Sequence, residues 1–239
     1  MMRKALILLV VLATTVAAMA QPKGYECTYQ EKMNIGSQLG QLDAAAKEAV
    51  MAYMSKRKSF YTLTYADGKS YFERNALLSD DEMGMGNATP TTYVDFSKKT
   101  QITQQNFFGR NFIIADSMSH LKWEFTKETR LIAGLPCTKA VTKDSTEVVA
   151  WFSTVTPIPA GPYSFYGLPG LVTEVTMGPI TYTLTEIKPL TKKPDIKAPN
   201  KGKKVTSEEY AEIVQKKLSE MGLGNIGGNS GSGIQIITQ

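Results

Sequence analysis

Histidine is almost missing: His120 is the one example in 239 residues. That scarcity disfavours zinc sites of ordinary composition, which draw on several histidines or on paired cysteines, and neither Cys-x-x-Cys nor His-Glu-x-x-His occurs. A Ser-His-Asp relay would have a single imidazole to use, and nothing in the sequence sets His120 beside Ser164. Gly161-Pro162-Tyr163-Ser164-Phe165 lacks the second glycine of a nucleophile elbow, and proline occupies its turn. Gly84-Met85-Gly86 runs into Asn87-Ala88-Thr89-Pro90 instead of a helix, so it does not read as a phosphate-cradling loop. Asp80-Asp81-Glu82 lacks the alternating oxygen ligands of a calcium loop and reads as a solvated acidic turn. These gaps lead to the expectation of no catalytic residue, no cofactor and no metal. Two chemistries pass through this filter: a hydrolase that needs only Asp and Glu, as glycosidases do, and soft copper(I) ligation by Met83 and Met85.

Long apolar runs are also lacking beyond the first twenty residues. There, Arg3 and Lys4 precede the apolar stretch Ala5 to Ala17, and Ala18-Met19-Ala20 supplies a small-x-small site. The stretch is shorter than the roughly 20 residues that span a bilayer, so it reads as an export leader cleaved after Ala20. The remaining chain is expected to be soluble, outside the cytoplasm and without a later transmembrane segment. Its length suits one β-rich domain with appendages.

Cysteine is nearly as scarce, with Cys27 and Cys137 the only two. An exported chain allows one disulfide between them, closing a loop of about 110 residues and worth roughly 4 to 5 kcal/mol on a chain-entropy estimate. Two independent buried thiols are the alternative. The net charge of +5 is concentrated: seven lysines against Asp195 alone lie between Lys188 and Lys204. One basic connector on an exported chain, instead of a basic folded face, argues against a nucleic-acid partner.

What is present in quantity is β-forming sequence. Tyr25 to Lys32 opens it, and Ser59 to Tyr65 and Ser70 to Asn75 flank Ala66-Asp67-Gly68-Lys69, a hairpin signal. Between them, Leu39, Leu42, Ala46, Ala49, Val50, Tyr53 and Met54 recur at helical spacing, predicting a packed helix over 38–56. Residues 78–90 read as a loop. Tyr93 to Phe96, Thr100 to Asn106, Asn111 to Asp116, Lys122 to Phe125, Arg130 to Lys143, Glu147 to Phe152, Leu171 to Met177 and Thr181 to Ile187 follow as β-branched or aromatic runs. No helix-length apolar pattern interrupts them, which disfavours a parallel α/β arrangement. The expected fold is mainly β (α+β): a curved antiparallel sheet over 21–187, half-barrel-like around the helix over 38–56. A Lys/Pro-rich linker over 188–204, an amphipathic helix over 205–222 with a Thr206/Glu209 capping box, and a flexible tail over 223–239 complete it.

One stretch is more constrained than the rest. From Trp151 to Thr173 the chain passes Pro157, Pro159, Gly161-Pro162 and Gly167-Leu168-Pro169-Gly170 between two strands, a density that specifies one backbone path. Either Trp151, Phe165, Tyr166, Leu168 and Leu171 fold over the sheet and close its core, or the loop rims a groove for an apolar ligand, a peptide or a protein. On the second reading the binding residues are Trp151, Pro159, Tyr163, Phe165, Tyr166, Leu168 and Leu171, shaped by Gly161, Pro162, Gly167, Pro169 and Gly170.

Ile132-Ala133-Gly134-Leu135-Pro136-Cys137-Thr138-Lys139-Ala140, Ala150-Trp151-Phe152, Pro157-Ile158-Pro159 with Gly161-Pro162, and Phe165-Tyr166-Gly167-Leu168-Pro169-Gly170-Leu171-Val172 together resemble the GLPGLI family of exported Gram-negative proteins. The likeness covers 24–187 and is strongest over 132–174. Val172 stands where the motif ends in isoleucine, and Phe152 where tyrosine is expected. The resemblance implies export and β-architecture but no established reaction, and in some genomes proximity to outer-membrane receptors of the TonB-dependent class. The resulting expectation is a non-catalytic binding or accessory module of the cell envelope, periplasmic or outer-membrane-associated.

Overall fold

Residues with positive φ mark where the strands end. Asp67 and Gly68 (φ 48° and 68°) join β2 (Ser59–Ala66) to β3 (Lys69–Arg74), with Ala66 opposite Lys69. Phe108 and Gly109 (48° and 75°) join β5 (Thr100–Phe107) to β6 (Arg110–Ser117) in the same way. Ala133 and Gly134 (49° and 77°) join β7 (Trp123–Ile132) to β8 (Leu135–Thr142). Two successive left-handed residues match the right-handed twist of the flanking strands and make the tightest hairpin link. The run expected as continuous from Arg130 to Lys143 is therefore two strands, because Ala133-Gly134 turns the chain back on itself.

The computed structural model describes residues 21–34, 39–40, 43–80, 89–118, 121–143 and 148–222, without the side chains of Met54 and Ser55. The expected leader, the tail over 223–239, His120, Met83, Met85 and Asp81-Glu82 lie outside the described residues. The remaining strands are β1 (Gly24–Met33), β4 (Thr91–Asp95), β9 (Val148–Ser153), β10 (Leu171–Met177), β11 (Ile180–Leu190) and β12 (Lys203–Val205). The twelve strands form one open, curled sheet in the order β12-β6-β5-β4-β3-β2-β1-β11-β10-β9-β8-β7. The first strand thus lies inside the sheet, with Tyr29 opposite Tyr61 on one side and Leu184 on the other. Two antiparallel wings hang from it, β2 to β6 and β11 back to β7.

The main core lines the curl. Tyr29, Leu63, Phe72, Phe152, Leu171, Val172, Val175 and Leu184 are buried there from β1 and both wings, with Ile158, Phe165 and Leu168 from the crossing between β9 and β10. Full burial of side chains this size contributes about 1.5–3 kcal/mol each.

The helix expected over 38–56 is α1 (Ala44–Lys56), started by Asp43, whose Oδ1 accepts from Ala46 N at 2.7 Å. None of its described side chains is buried, and Met51 and Tyr53 are exposed. The curl does not wrap this helix; the crossing occupies its interior. An apolar stripe reduced mostly to alanines and Val50 has little area with which to compete for that place.

The sheet also continues beyond β11. After the connector, Lys203, Lys204 and Val205 pair in parallel with Phe112, Ile113 and Ile114 at the far edge. The expected linker over 188–204 is strand at both ends. Gly202 permits the approach, because a Cβ there would lie 2.7 Å from Asn111 O. Helix α2 (Ser207–Glu220) follows, with the Thr206/Glu209 capping box formed and Gly222 left-handed just past its end. Val205, Phe112, Ile114 and Tyr210 make a second, smaller core beneath it.

Candidate functional site

The crossing is held by short-range bonds and by contacts to both wings. Ile158 N donates to Thr156 O at 2.8 Å, Val172 N to Ala160 O at 3.0 Å and Gly170 N to Leu168 O at 2.8 Å. A Cβ on Gly161 would lie 2.5 Å from both Phe165 O and Val172 Cβ, and one on Gly170 would overlap Ser153 O. Both positions require a residue without a side chain, since the backbone passes too close for anything larger. Trp123 Nε1 donates to Tyr166 O at 3.1 Å, Tyr166 OH donates to Gln101 Oε1 at 3.2 Å, and the Tyr166 ring meets Phe96 edge-on. Trp123 begins β7, Gln101 lies on β5 and Phe96 follows β4. Nine strand steps separate β5 from β7, and Tyr166 bridges them across the mouth of the curl.

Trp151, Phe165, Tyr166, Leu168 and Leu171 are accordingly buried, together with Gly161, Pro162 and Gly170. Pro159 and Tyr163 are half-buried, and Gly167 and Pro169 are exposed. Of the two readings of this stretch, the geometry matches closure of the core. The five buried side chains do not form a docking surface, because the atoms that would meet a partner already pack against the sheet. Even Trp151 has its ring covered by the Arg130 guanidinium, 4.0 Å from its centroid.

Below the crossing, Tyr61 stacks on Phe72 at 5.3 Å and meets Tyr182 edge-on at 5.2 Å, with Tyr163 completing the cluster. Tyr61 OH donates to Glu31 Oε2 at 2.8 Å. Burial drives the phenols of Tyr61, Tyr182 and Tyr29 far above the ordinary tyrosine value, so they stay neutral and serve as packing groups with one donor each. Tyr29 OH makes a 2.6 Å bond to Val172 O, fixing the start of β10 to β1.

The two cysteines are free and buried, which excludes the disulfide alternative in this structure. They lie on β1 and β8, four strand steps apart in the sheet, and no bond joins them. Cys137 Sγ donates to Leu135 O at 3.2 Å and accepts from Thr173 Oγ1 at 3.1 Å. Burial, with a smaller contribution from the Glu26 charge, pushes the Cys27 thiol up to about 12.

The acidic groups are engaged locally. Glu174 accepts from Arg130 and from Thr183 Oγ1, and Asp95 Oδ1 accepts from Ser97 N and Lys98 N in the β4–β5 turn. Among the described residues no group of three or more His, Cys, Asp or Glu is arranged to hold a metal ion.

An open groove lies elsewhere, between the β5–β6 tip and α2. Its volume is about 480 Å³, and Phe107, Phe108, Phe112 and Ile213 meet Arg110, Lys216, Lys217 and Glu220 around it. Ile213, Lys216, Lys217 and Glu220 follow helical spacing and present one face of α2. Phe108 stands 58% exposed at the turn, edge-on to Phe107 at 4.7 Å. Behind the groove, Tyr210 packs on Phe107 and Phe112, with its buried hydroxyl lacking a hydrogen-bond partner. Sequence reasoning missed this site because its halves lie about a hundred residues apart. A local signal was present: two phenylalanines directly before Gly109, where polar turn residues are usual.

No curated protein matches the chain. Among the solved structures that resemble it are two described as "Structure of PNGF-II in P21 space group" and "Structure of PNGF-II in C2 space group", with TM-scores of 0.55 and 0.51. Each is 16% identical and covers 81% of this chain but 33% of its own, so the chain spans a third of the length of those proteins and shares their β-rich fold there. Residues 139–174, which hold the second half of β8, all of β9, the crossing and the start of β10, match the model of a family described as "Protein of unknown function (Porph_ging)".

Proposed function

We propose that the chain is an exported envelope protein of the GLPGLI type that works by contact instead of catalysis, a binding or accessory module. Its contact surface on this reading is the groove between the β5–β6 tip and α2, not the crossing. The observation that carries the reading is a contrast in exposure. The aromatic residues of the crossing are used up in the core, whereas Phe108 is left 58% exposed beside a groove of about 480 Å³. The groove is open to solvent and lined by four apolar and four charged side chains, the form of a surface contact and not of an enclosed ligand pocket. The leader-like first twenty residues support export, to the periplasm or the outer membrane. An outer-membrane receptor of the TonB-dependent class is a candidate partner system.

A photo-cross-linking amino acid at position 108, in cells expressing the full chain, tests the assignment. Adducts at 108 that are absent from a control at exposed Thr185 are expected. Equal adducts at both positions, or none at 108, overturn it.

A further inference from the structure

We propose that the β5–β6 tip, together with β12 and α2, is a docking surface for an anionic lipid bilayer. The inference rests on the contact reading above and deepens it by naming the partner.

The first observation is Phe108. It occupies a left-handed position (φ 48°) in a two-residue hairpin turn, where asparagine, aspartate or glycine fits without strain and a bulky aromatic does not. Its side chain is nevertheless exposed at the apex, backed by Phe107. An aromatic ring standing proud of a turn can enter the boundary between headgroups and acyl chains.

The second observation is charge. Arg110 follows the tip directly, and Lys216 lines the groove from α2. The parallel return of the chain adds Lys203, which lies beside Phe112 and on the same side of β12 as Val205, the side that faces α2. Arg110, Lys203 and Lys216 make no ion pair among the described residues. α2 carries four glutamates to two lysines, so the positive charge is confined to the groove: Glu209 is engaged in the capping box, Glu208 and Glu212 are not among the groove's lining residues, and Glu220, which is, is held by Lys217 at 3.2 Å. The topology thus delivers part of the basic connector to the exposed aromatic tip. An apolar wedge ringed by unpaired cations complements a surface that is negative outside and apolar beneath. A protein partner would need a matching acidic socket, and the protruding apex favours insertion over that.

Cosedimentation of the chain from Gln21 onward with phosphatidylcholine vesicles, and with equimolar phosphatidylcholine–phosphatidylglycerol vesicles, tests the inference. Selective binding to the anionic vesicles that weakens as salt is raised is expected. Arg110→Gln combined with Lys216→Gln should lower partitioning on the order of ten-fold or more. Phe108→Asn should lower it comparably while leaving the thermal midpoint unchanged or higher, since asparagine suits the turn better; this separates lost docking from lost folding. No binding to anionic vesicles, equal binding to neutral ones, or variants that bind like the parent would overturn the lipid assignment. If position 108 then cross-links to a protein in cells, the contact reading survives and the lipid inference alone falls.

Discussion

Burial decides what the reactive side chains can do. Cys27 has a folded-state pKa pushed from 9.0 up to about 12, so the fold favours its neutral thiol. The resulting stabilisation is full below about pH 9 and is lost as pH rises from there toward about 12. The raised phenols of Tyr29, Tyr61 and Tyr182 act in the same direction, so the unfolding midpoint should fall on going from neutral to strongly alkaline solution. Cys137 is also raised by burial. Without reductant, iodoacetamide at about pH 8 should leave both cysteines of the native protein unmodified and add two groups after denaturation. A mass showing no free thiol after denaturation would contradict the separated pair. Tyr29→Phe removes the 2.6 Å bond to Val172 O and leaves a buried carbonyl less satisfied. The expected cost is about 1–3 kcal/mol in chemical denaturation, with the slope unchanged.

Among the elements, those built by local rules follow the sequence most closely. The Asp67-Gly68 hairpin forms as its turn chemistry requires. Helix α2 begins at its capping box, with Glu209 N donating to Thr206 Oγ1 at 3.2 Å and Thr206 N to Glu209 Oε2 at 3.0 Å. Thr206→Ala should therefore cost about 1 kcal/mol. Because Ser207 also bonds Asp116 on β6, the loss should appear first as fraying of α2 from the sheet edge, read by amide exchange in 207–214. Elements whose role depends on distant partners were not legible in this way. Ala133-Gly134 interrupts a β-rich run without the usual Asn-Gly or Asp-Gly signal. The Lys203–Val205 strand looks like the end of a lysine-rich connector until Phe112 to Ile114 are placed beside it. Helix α1 shows the converse: periodicity over 38–56 specifies a helix, and one forms over Ala44–Lys56, but periodicity alone does not reveal whether a better-packing segment occupies the core.

At the scale of the whole molecule, two cores divide the work. The larger one joins both wings through β1 and the crossing, and the smaller one holds β12 and α2 against β6. Among the described residues the smaller cluster has four buried side chains against twenty-two, so it should open at lower free energy. Native-state hydrogen exchange should find β1, β2, β10 and β11 opening only with global unfolding, and β12 with α2 opening as a separate, weaker unit. A single common opening free energy would show the two cores to be one cooperative body. This arrangement leaves the proposed docking surface on the less stable unit, while the crossing locks the wings that support it.

The chain by itself determined the Asp67-Gly68 turn, most of its strands, the start and stop of α2 and the density of glycine and proline in the crossing. Each of these follows from φ preferences, side-chain periodicity or capping within a few residues. Tertiary structure decided that β1 is central, that the crossing turns its aromatic residues inward, that the thiols stay apart, and that Phe108 meets Lys216 and Lys217 on α2. Those outcomes depend on partners such as Tyr29 and Val172, 143 positions apart, or Asp116 and Ser207, 91 apart. Contacts at such separations are chosen by which surfaces bury the most apolar area together, a comparison among whole arrangements that no local pattern encodes.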